Sequence, residues 1–269
     1  MKRALFALTV AESKRLIAKA VVSMPEVQQA FKSGRLIIGR GTTNAYIVEE
    51  LLNTCIDKSK YTVGIITAGT LCITPEEGRM SEVVFVDGVQ VDTPWKEVLN
   101  DFRKGDVFIK GANAIDIDGN CGVLVGNDIG GTIGGALPIL AARGCTLIMP
   151  VGLEKLIPSV IDAADRIGTE QIDFSLGMPC GMIVVSSGNI AVTETMAIEE
   201  LFDVEATHVA SGGLSGSEGS VTIAVVGEDE EVEKVFNFIK EIKGEPAVTA
   251  SKRVCGKCKI KNCFVCKHV

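Results

Sequence analysis

Short apolar runs alternate with stretches of helical spacing along most of this chain. Residues 36–38, 61–67, 107–110, 123–125 and 146–149 are near-continuously apolar and read as strands. Residues 45–53 and 133–143 keep helical spacing, and Gly144 follows the second as a stop signal. Asp87-Gly88 sits between residues 83–86 and 89–91, a two-residue hairpin signal. Residues 10–22 and 25–32 form a helical opening segment, where Thr9 and Glu12 make a Thr-x-x-Glu capping box. A further helix ends near Gly168. Buried strands alternating with helices predict a mostly parallel, Rossmann-like α/β sheet with helices on both faces.

The pattern changes after Met178. Strand 181–185, helix 194–202, strands 205–210 and 220–226, helix 230–242 and strand 246–250 follow in that order. The order β-α-β-β-α-β predicts a ferredoxin-like α+β domain. Three parts are therefore expected: an α/β ligand-binding domain at 1–177, a ferredoxin-like domain at 178–251 and a Cys-rich metal-binding tail at 252–269.

Composition supports a packed chain. Apolar residues are 46% and charged residues 23% of 269, which excludes a disordered protein. No apolar run is long enough to span a membrane, and the N-terminal apolar stretch is too short for a secretory signal, so no membrane partner is expected. Of 27 basic and 34 acidic residues, six basic and no acidic ones fall in the tail, leaving −13 on the first 251 residues. Such an acidic body disfavours general nucleic-acid binding, although the basic tail could meet an anionic partner. Nine cysteines, an odd number, with four crowded at the end, suit a reducing compartment, and a cytoplasmic location is expected.

Three strand-end segments carry candidate chemistry. Gly39-Arg40-Gly41-Thr42-Thr43 lies between a strand and a helix, where amides, helix dipole and hydroxyls suit a phosphate or carboxylate. It also fits an ordinary turn with Thr42 or Thr43 as helix cap. Lys110-Gly111-Ala112-Asn113 ends another apolar strand, with Asp116 just beyond. Residues past the carboxyl ends of parallel strands line the ligand crevice of open α/β sheets. The glycine-rich segment with Asp128, Gly131 and Thr132 precedes the next helix, where glycines permit close approach by a ligand or by another backbone. A fourth constellation is Cys255-x2-Cys258-x4-Cys263-x2-Cys266. Four thiolates at that spacing suit a zinc ion, with an iron–sulfur cluster as the alternative. The short central spacer leaves room for ligands shared between subunits, so a homo-oligomer is expected.

Gly39-x-Gly41-Thr42-Thr43, the strand end at Thr67 and the long stretch from Val107 to Gly152 together resemble the ribose-5-phosphate isomerase, glucosamine-6-phosphate deaminase and CoA-transferase-like superfamily. The match is nearest its translation initiation factor 2B-like branch and the effector domains of sugar-phosphate-responsive repressors. The resemblance implies an isomerase-like fold at residues 1–177 and a small phosphorylated or carboxylated metabolite as ligand. Gly39, Gly41, Thr42, Thr43, Thr67, Gly111, Ala112, Asn113, Gly131 and Thr132 would bind it, and Lys110, Asp116 and Asp128 would act in an aldose–ketose isomerisation. Asn113 stands where the isomerases carry a functional Asp, and an amide cannot act as a base. Asp116 is the carboxylate expected in its place. The alternatives are a non-catalytic metabolite sensor whose tail contacts a protein or nucleic acid, and a redox protein with a tail cluster.

Overall fold

Leu36, Ile37 and Ile38 are all fully buried, yet Leu36 and Ile38 belong to one core and Ile37 to another. Successive strand residues point to opposite faces, so this strand is covered on both. The computed structural model describes residues 1–186, 188–255, 258, 260 and 262–265. The chain runs β1 (Lys2–Leu8), α1 (Val10–Ser23), α2 (Pro25–Ser33), β2 (Arg35–Ile38), α3 (Thr42–Leu52), β3 (Gly64–Thr67), β4 (Thr70–Ile73), β5 (Val83–Val86), β6 (Val89–Val91), α4 (Trp95–Asn100) and β7 (Val107–Ile109). It continues through β8 (Ala114–Ile115), β9 (Cys121–Val125), α5 (Gly131–Arg143), β10 (Thr146–Pro150), a 3-10 turn (Leu153–Lys155) and α6 (Val160–Ala164). Last come β11 (Gly181–Val185), β12 (Asn189–Val192), α7 (Glu194–Leu201), β13 (Val204–Gly212), β14 (Ser220–Gly227) and α8 (Asp229–Ile242).

The central sheet has the order β12-β10-β7-β2-β5-β6. Its first four strands are mutually parallel, while β5 and β6 are antiparallel additions, so the sheet is mostly parallel as expected. Asp87 and Gly88 both take positive φ, the backbone of a tight two-residue hairpin turn between β5 and β6. Leu36, Ile38, Val107, Ile109 and Ile148 pack into the core shared with α1 and α3. Ile37, Phe108, Leu147 and Met149 pack into the core shared with α4 and α5.

The capping box forms as read. Thr9 Oγ1 accepts from the Glu12 amide at 3.3 Å, and Glu12 Oε2 accepts from the Thr9 amide at 2.9 Å. Glu12 also accepts from Lys243 Nζ at 2.7 Å and the Gly244 amide at 2.8 Å, fastening the end of α8 to the start of α1.

The ferredoxin-like arrangement is not what the chain builds. β14 already has two neighbours, β13 on one side and the N-terminal β1 on the other. Residues 181–185 therefore pair with β9 instead, and residues 189–192 join the central sheet beside β10. Strands from either side of Gly177 thus share sheets. Residues 246–250 form no strand; Pro246 has no amide hydrogen to give to a ladder. β1 occupies residues the sequence left without an element, because its partner lies more than 200 residues away, with Lys2 opposite Gly227 and Leu8 opposite Val221. Among the described residues no helix is long and apolar enough to cross a membrane.

Candidate functional site

Four parallel strands end on one edge of the central sheet. Ile38 pairs with Ile109, Ile109 with Ile148, and Pro150 with Val192, so the residues that follow each strand lie in one row. These are Gly39–Thr43 after β2, Lys110–Ala112 after β7, Val151–Lys155 after β10, and Thr193–Glu194 after β12. β5 runs the other way and begins at this edge, where Ile38 pairs with Val83, which puts Glu82 there too.

The first two segments touch. A Cβ on Gly39 would stand 3.0 Å from Lys110 Cδ and 3.3 Å from the Ile109 carbonyl, so glycine is what lets the loops approach. Asn44, fully buried, donates from Nδ2 to the Gly39 carbonyl at 2.6 Å and ties the end of β2 to α3. Gly41 is the N-cap of α3 and supplies no side chain to its first turn. The amide of Gly41 itself is taken by the Tyr61 carbonyl at 2.9 Å. Thr42 remains half-buried at this helix start, and Thr43 is buried.

Positive charge gathers around that helix start. Arg40 Nε donates to Glu82 Oε1 at 3.0 Å, and the Thr132 hydroxyl reaches the same oxygen at 3.4 Å. Glu82 thereby brings the start of α5 to the loop after β2. Lys110 Nζ donates to the Gly111 carbonyl at 3.1 Å. Burial pushes the Lys110 ammonium down to about 8, and the charges of Lys155 and Arg40 push the same way against Glu82. Lys155 Nζ donates to the Ala112 carbonyl at 3.1 Å and lies 3.8 Å from Glu154 Oε1. Lys14, reaching in from α1, is also pushed down to about 8, by burial first and Lys155 second. Neither Lys14 nor Lys110 has a carboxylate partner among the described residues.

Glu194 is the opposite case. It is fully buried at the start of α7 and accepts the Leu153 amide at 2.8 Å. Burial, with Glu154 second, raises its carboxyl to about 7. Lys110 and Glu194 at this strand-end edge, and Lys14 reaching it from α1, are thus all displaced toward neutrality, which makes the edge the candidate site.

Several residues named from sequence do other work. Asp116 accepts from the Asp118 and Asn120 amides on one oxygen, and from Asn120 Nδ2 and the Val160 amide on the other. Burial alone would raise its carboxyl, but these donors hold it below the usual range. It is a saturated acceptor, unsuited to act as the base. Asn113 is turned to β9, its Oδ1 accepting from the Leu124 amide at 3.0 Å. Asp128 is exposed in the loop before α5, where Gly131 is exposed as well. Thr67 closes the separate β3–β4 ribbon opposite Thr70. The structure thus brings together Gly39, Gly41, Thr42, Thr43, Lys110, Gly111, Ala112 and Thr132, and adds Lys14, Glu82, Glu154, Lys155 and Glu194. The only sequence signal for most of these additions was position just past a strand. Asp116→Ala is expected to cost about 2–3 kcal/mol in urea denaturation, because four donors lose their acceptor. A loss below about 0.5 kcal/mol would contradict that structural role.

A separate cavity of about 340 Å³ lies between Ser59, Lys60, Thr74, Arg79 and Thr249. Its cations are engaged, Arg79 by Thr74 and Lys60 by Asp57.

Cys255, Cys258 and Cys263 border one small apolar space together with Cys72 of β4. Cys266 lies outside the described residues, as do Lys257, Lys259, Lys261, Lys267 and His268. Among the described residues no group of three or more His, Cys, Asp or Glu side chains is arranged to hold a metal ion. The tail is fastened to the body. Arg253 donates its amide to the Ile73 carbonyl at 2.9 Å and pairs with Glu76, and the Phe264 ring packs tilted against Phe174.

No protein-family model matches the chain, and no curated protein matches it. A solved structure described as D-ribose-5-phosphate isomerase in complex with phospho-erythronic acid aligns with 87% of this chain and 88% of that chain. Identity is 17% and the TM-score 0.31. At that similarity the chemistry has to be read from this chain's own residues.

Proposed function

We propose that the carboxyl edge of the central sheet binds a small phosphorylated or carboxylated metabolite. The observation that carries this is the gathering of Arg40 and Lys110, with Lys155 close enough for its charge to act on Lys110, beside the uncapped start of α3. A helix start favours negative charge, and the half-buried Lys110, which has no carboxylate partner among the described residues, gains an anionic one when a ligand arrives. Lys110 would hold the anion with the Thr42 amide and hydroxyl, while Arg40 stays oriented by Glu82.

Aldose–ketose isomerisation of a sugar phosphate is the enzymatic form of this reading. The saturation of Asp116 favours the other form, a metabolite sensor, because it removes the carboxylate assigned to proton transfer. Calorimetry with inorganic phosphate and with a panel of sugar phosphates, alongside a turnover assay on the panel, separates them. Lys110→Met is expected to weaken phosphate binding at least about tenfold with the fold intact. Unchanged affinity would remove the edge as the binding site.

The tail cysteines are read as a zinc site that clamps the chain end against β4, with a cluster as the alternative. Four soft thiolates suit either, and Cys72 borders the same space as Cys255, Cys258 and Cys263. One zinc per chain is expected in metal analysis of the purified protein, and none in Cys255→Ser. Iron with a visible absorbance band would favour the cluster, and a metal-free protein would remove both.

A further inference from the structure

Glu194 Oε1 and Glu154 Oε2 are buried, and neither has a hydrogen-bond partner among the described residues. Their other oxygens are engaged, Glu194 Oε2 by the Leu153 amide and Glu154 Oε1 near Lys155. The two free oxygens lie against the same residue. A Cβ on Gly152 would stand 1.8 Å from Glu154 Oε2 and 3.0 Å from Glu194 Oε1. Only a glycine leaves room for both carboxyls above the same stretch of backbone.

The nearby Ser13 hydroxyl lowers the Glu194 carboxyl without offsetting burial, and two ionised carboxylates facing one buried space are strongly disfavoured. A proton on one of them resolves the conflict. The protonated carboxyl becomes a donor and the other its acceptor, so both orphan oxygens are satisfied at once. We propose that Glu154 and Glu194 share one proton across Gly152, and that anion uptake at the adjoining edge is coupled to holding that proton. The first half stands on the carboxyl geometry alone; the second rests on the anion-site reading above.

The surrounding charges define the coupling. Lys14 and Ser13 face the pair from α1, and Lys155 faces it from the 3-10 turn. Lys110 lies at the end of β7, where it feels the charge of Lys155. An anion seated at Lys110 and Lys155 adds negative charge beside the pair. It draws Lys155 away from Glu154 and disfavours a second ionised carboxyl. Losing the shared proton should therefore weaken the anion.

Infrared spectroscopy tests the proton directly. Wild-type protein near neutral pH should show the C=O stretch of a buried protonated carboxylic acid, absent in Glu194→Gln and shifted in Glu154→Gln. Two variants guard against one failing to fold. No such band in wild type, or a band unchanged in both variants, overturns the shared proton. Sulfate, which does not titrate in this range, tests the coupling. Its affinity should fall several-fold from about pH 6 to about pH 7.5 in wild type and stay level in Glu194→Gln. Equal slopes overturn the coupling. Sulfate that binds at no pH overturns the anion site and the coupling together, while the infrared band still decides the proton.

Discussion

Arg15→Ala is expected to destabilise the protein by about 3 kcal/mol in urea denaturation. Arg15 on α1 uses its whole fork: Nη2 reaches Glu49 at 2.7 Å and Glu245 at 3.0 Å, Nη1 reaches Glu50 at 2.7 Å, and Nε reaches Glu245 at 2.9 Å. It also stacks over the Tyr46 ring, 4.7 Å from its centre. Glu49 is 5% exposed, so the truncation leaves a buried carboxylate with Lys58 and the Ile56 amide as its remaining donors. Breaking one side of a buried charge cluster costs more than the cluster contributes as a whole. Arg15→Lys should recover less than half of the loss, because an ammonium cannot serve three carboxylates as a planar fork. A loss below about 1 kcal/mol would mean that the network is solvated and contributes little.

Stability is expected to fall from about pH 4.5 to about pH 7 and to rise again from about pH 8 to about pH 9, above which the Cys121, Cys145 and Cys180 thiols, raised by burial, oppose the rise. Glu194 drives the first leg. Its folded carboxyl sits at about 7, above its ordinary 4.5, so the native state binds the extra proton in that interval. That stability is complete below 4.5 and gone above about 7, a change of about 3 kcal/mol. Lys14 and Lys110 drive the second leg. Their folded values of about 8 lie below the ordinary 10.5, so there the unfolded chain binds the extra protons and stability grows with pH. Both lysines keep some contact with water, which softens that leg. Below pH 4.5 the lowered carboxyls of Glu12, Glu49 and Asp116 act with the usual sign, adding stability as pH rises. Glu194→Gln should flatten the interval from 4.5 to 7 and leave the alkaline leg. Denaturant midpoints across pH read this directly, and a wild-type profile rising steadily from pH 4.5 to 7 would refute the neutral-pH charge frustration at this edge.

The proposed anion site was half legible. Gly39, Gly41 and Thr42 announce themselves because strand, glycine turn and helix are adjacent in sequence. Lys110 does so because it ends an apolar run. Lys14 and Glu194 gave no such signal. Lys14 is one of several lysines on an amphipathic helix, and Glu194 looks like any acid at a helix start. Their meaning comes from burial beside Lys155 and Glu154, which only packing creates. Asp116 misled for the same reason in reverse. A carboxylate near a strand end reads as reactive until its four donors, one of them the distant Val160 amide, are in view.

Local order in the chain was enough to set the parallel core of β2, β7 and β10, the helix pairs around it, the Asp87-Gly88 turn and the Thr9–Glu12 cap. Each depends on periodicity or on contacts a few residues apart. Tertiary structure alone decided that β1 closes onto β14, that residues 181–185 and 189–192 go to different sheets, and that Glu154 and Glu194 both lie against Gly152. Strand partners and buried charge pairs are chosen by competition among segments far apart in sequence, and no local pattern carries the outcome of that competition.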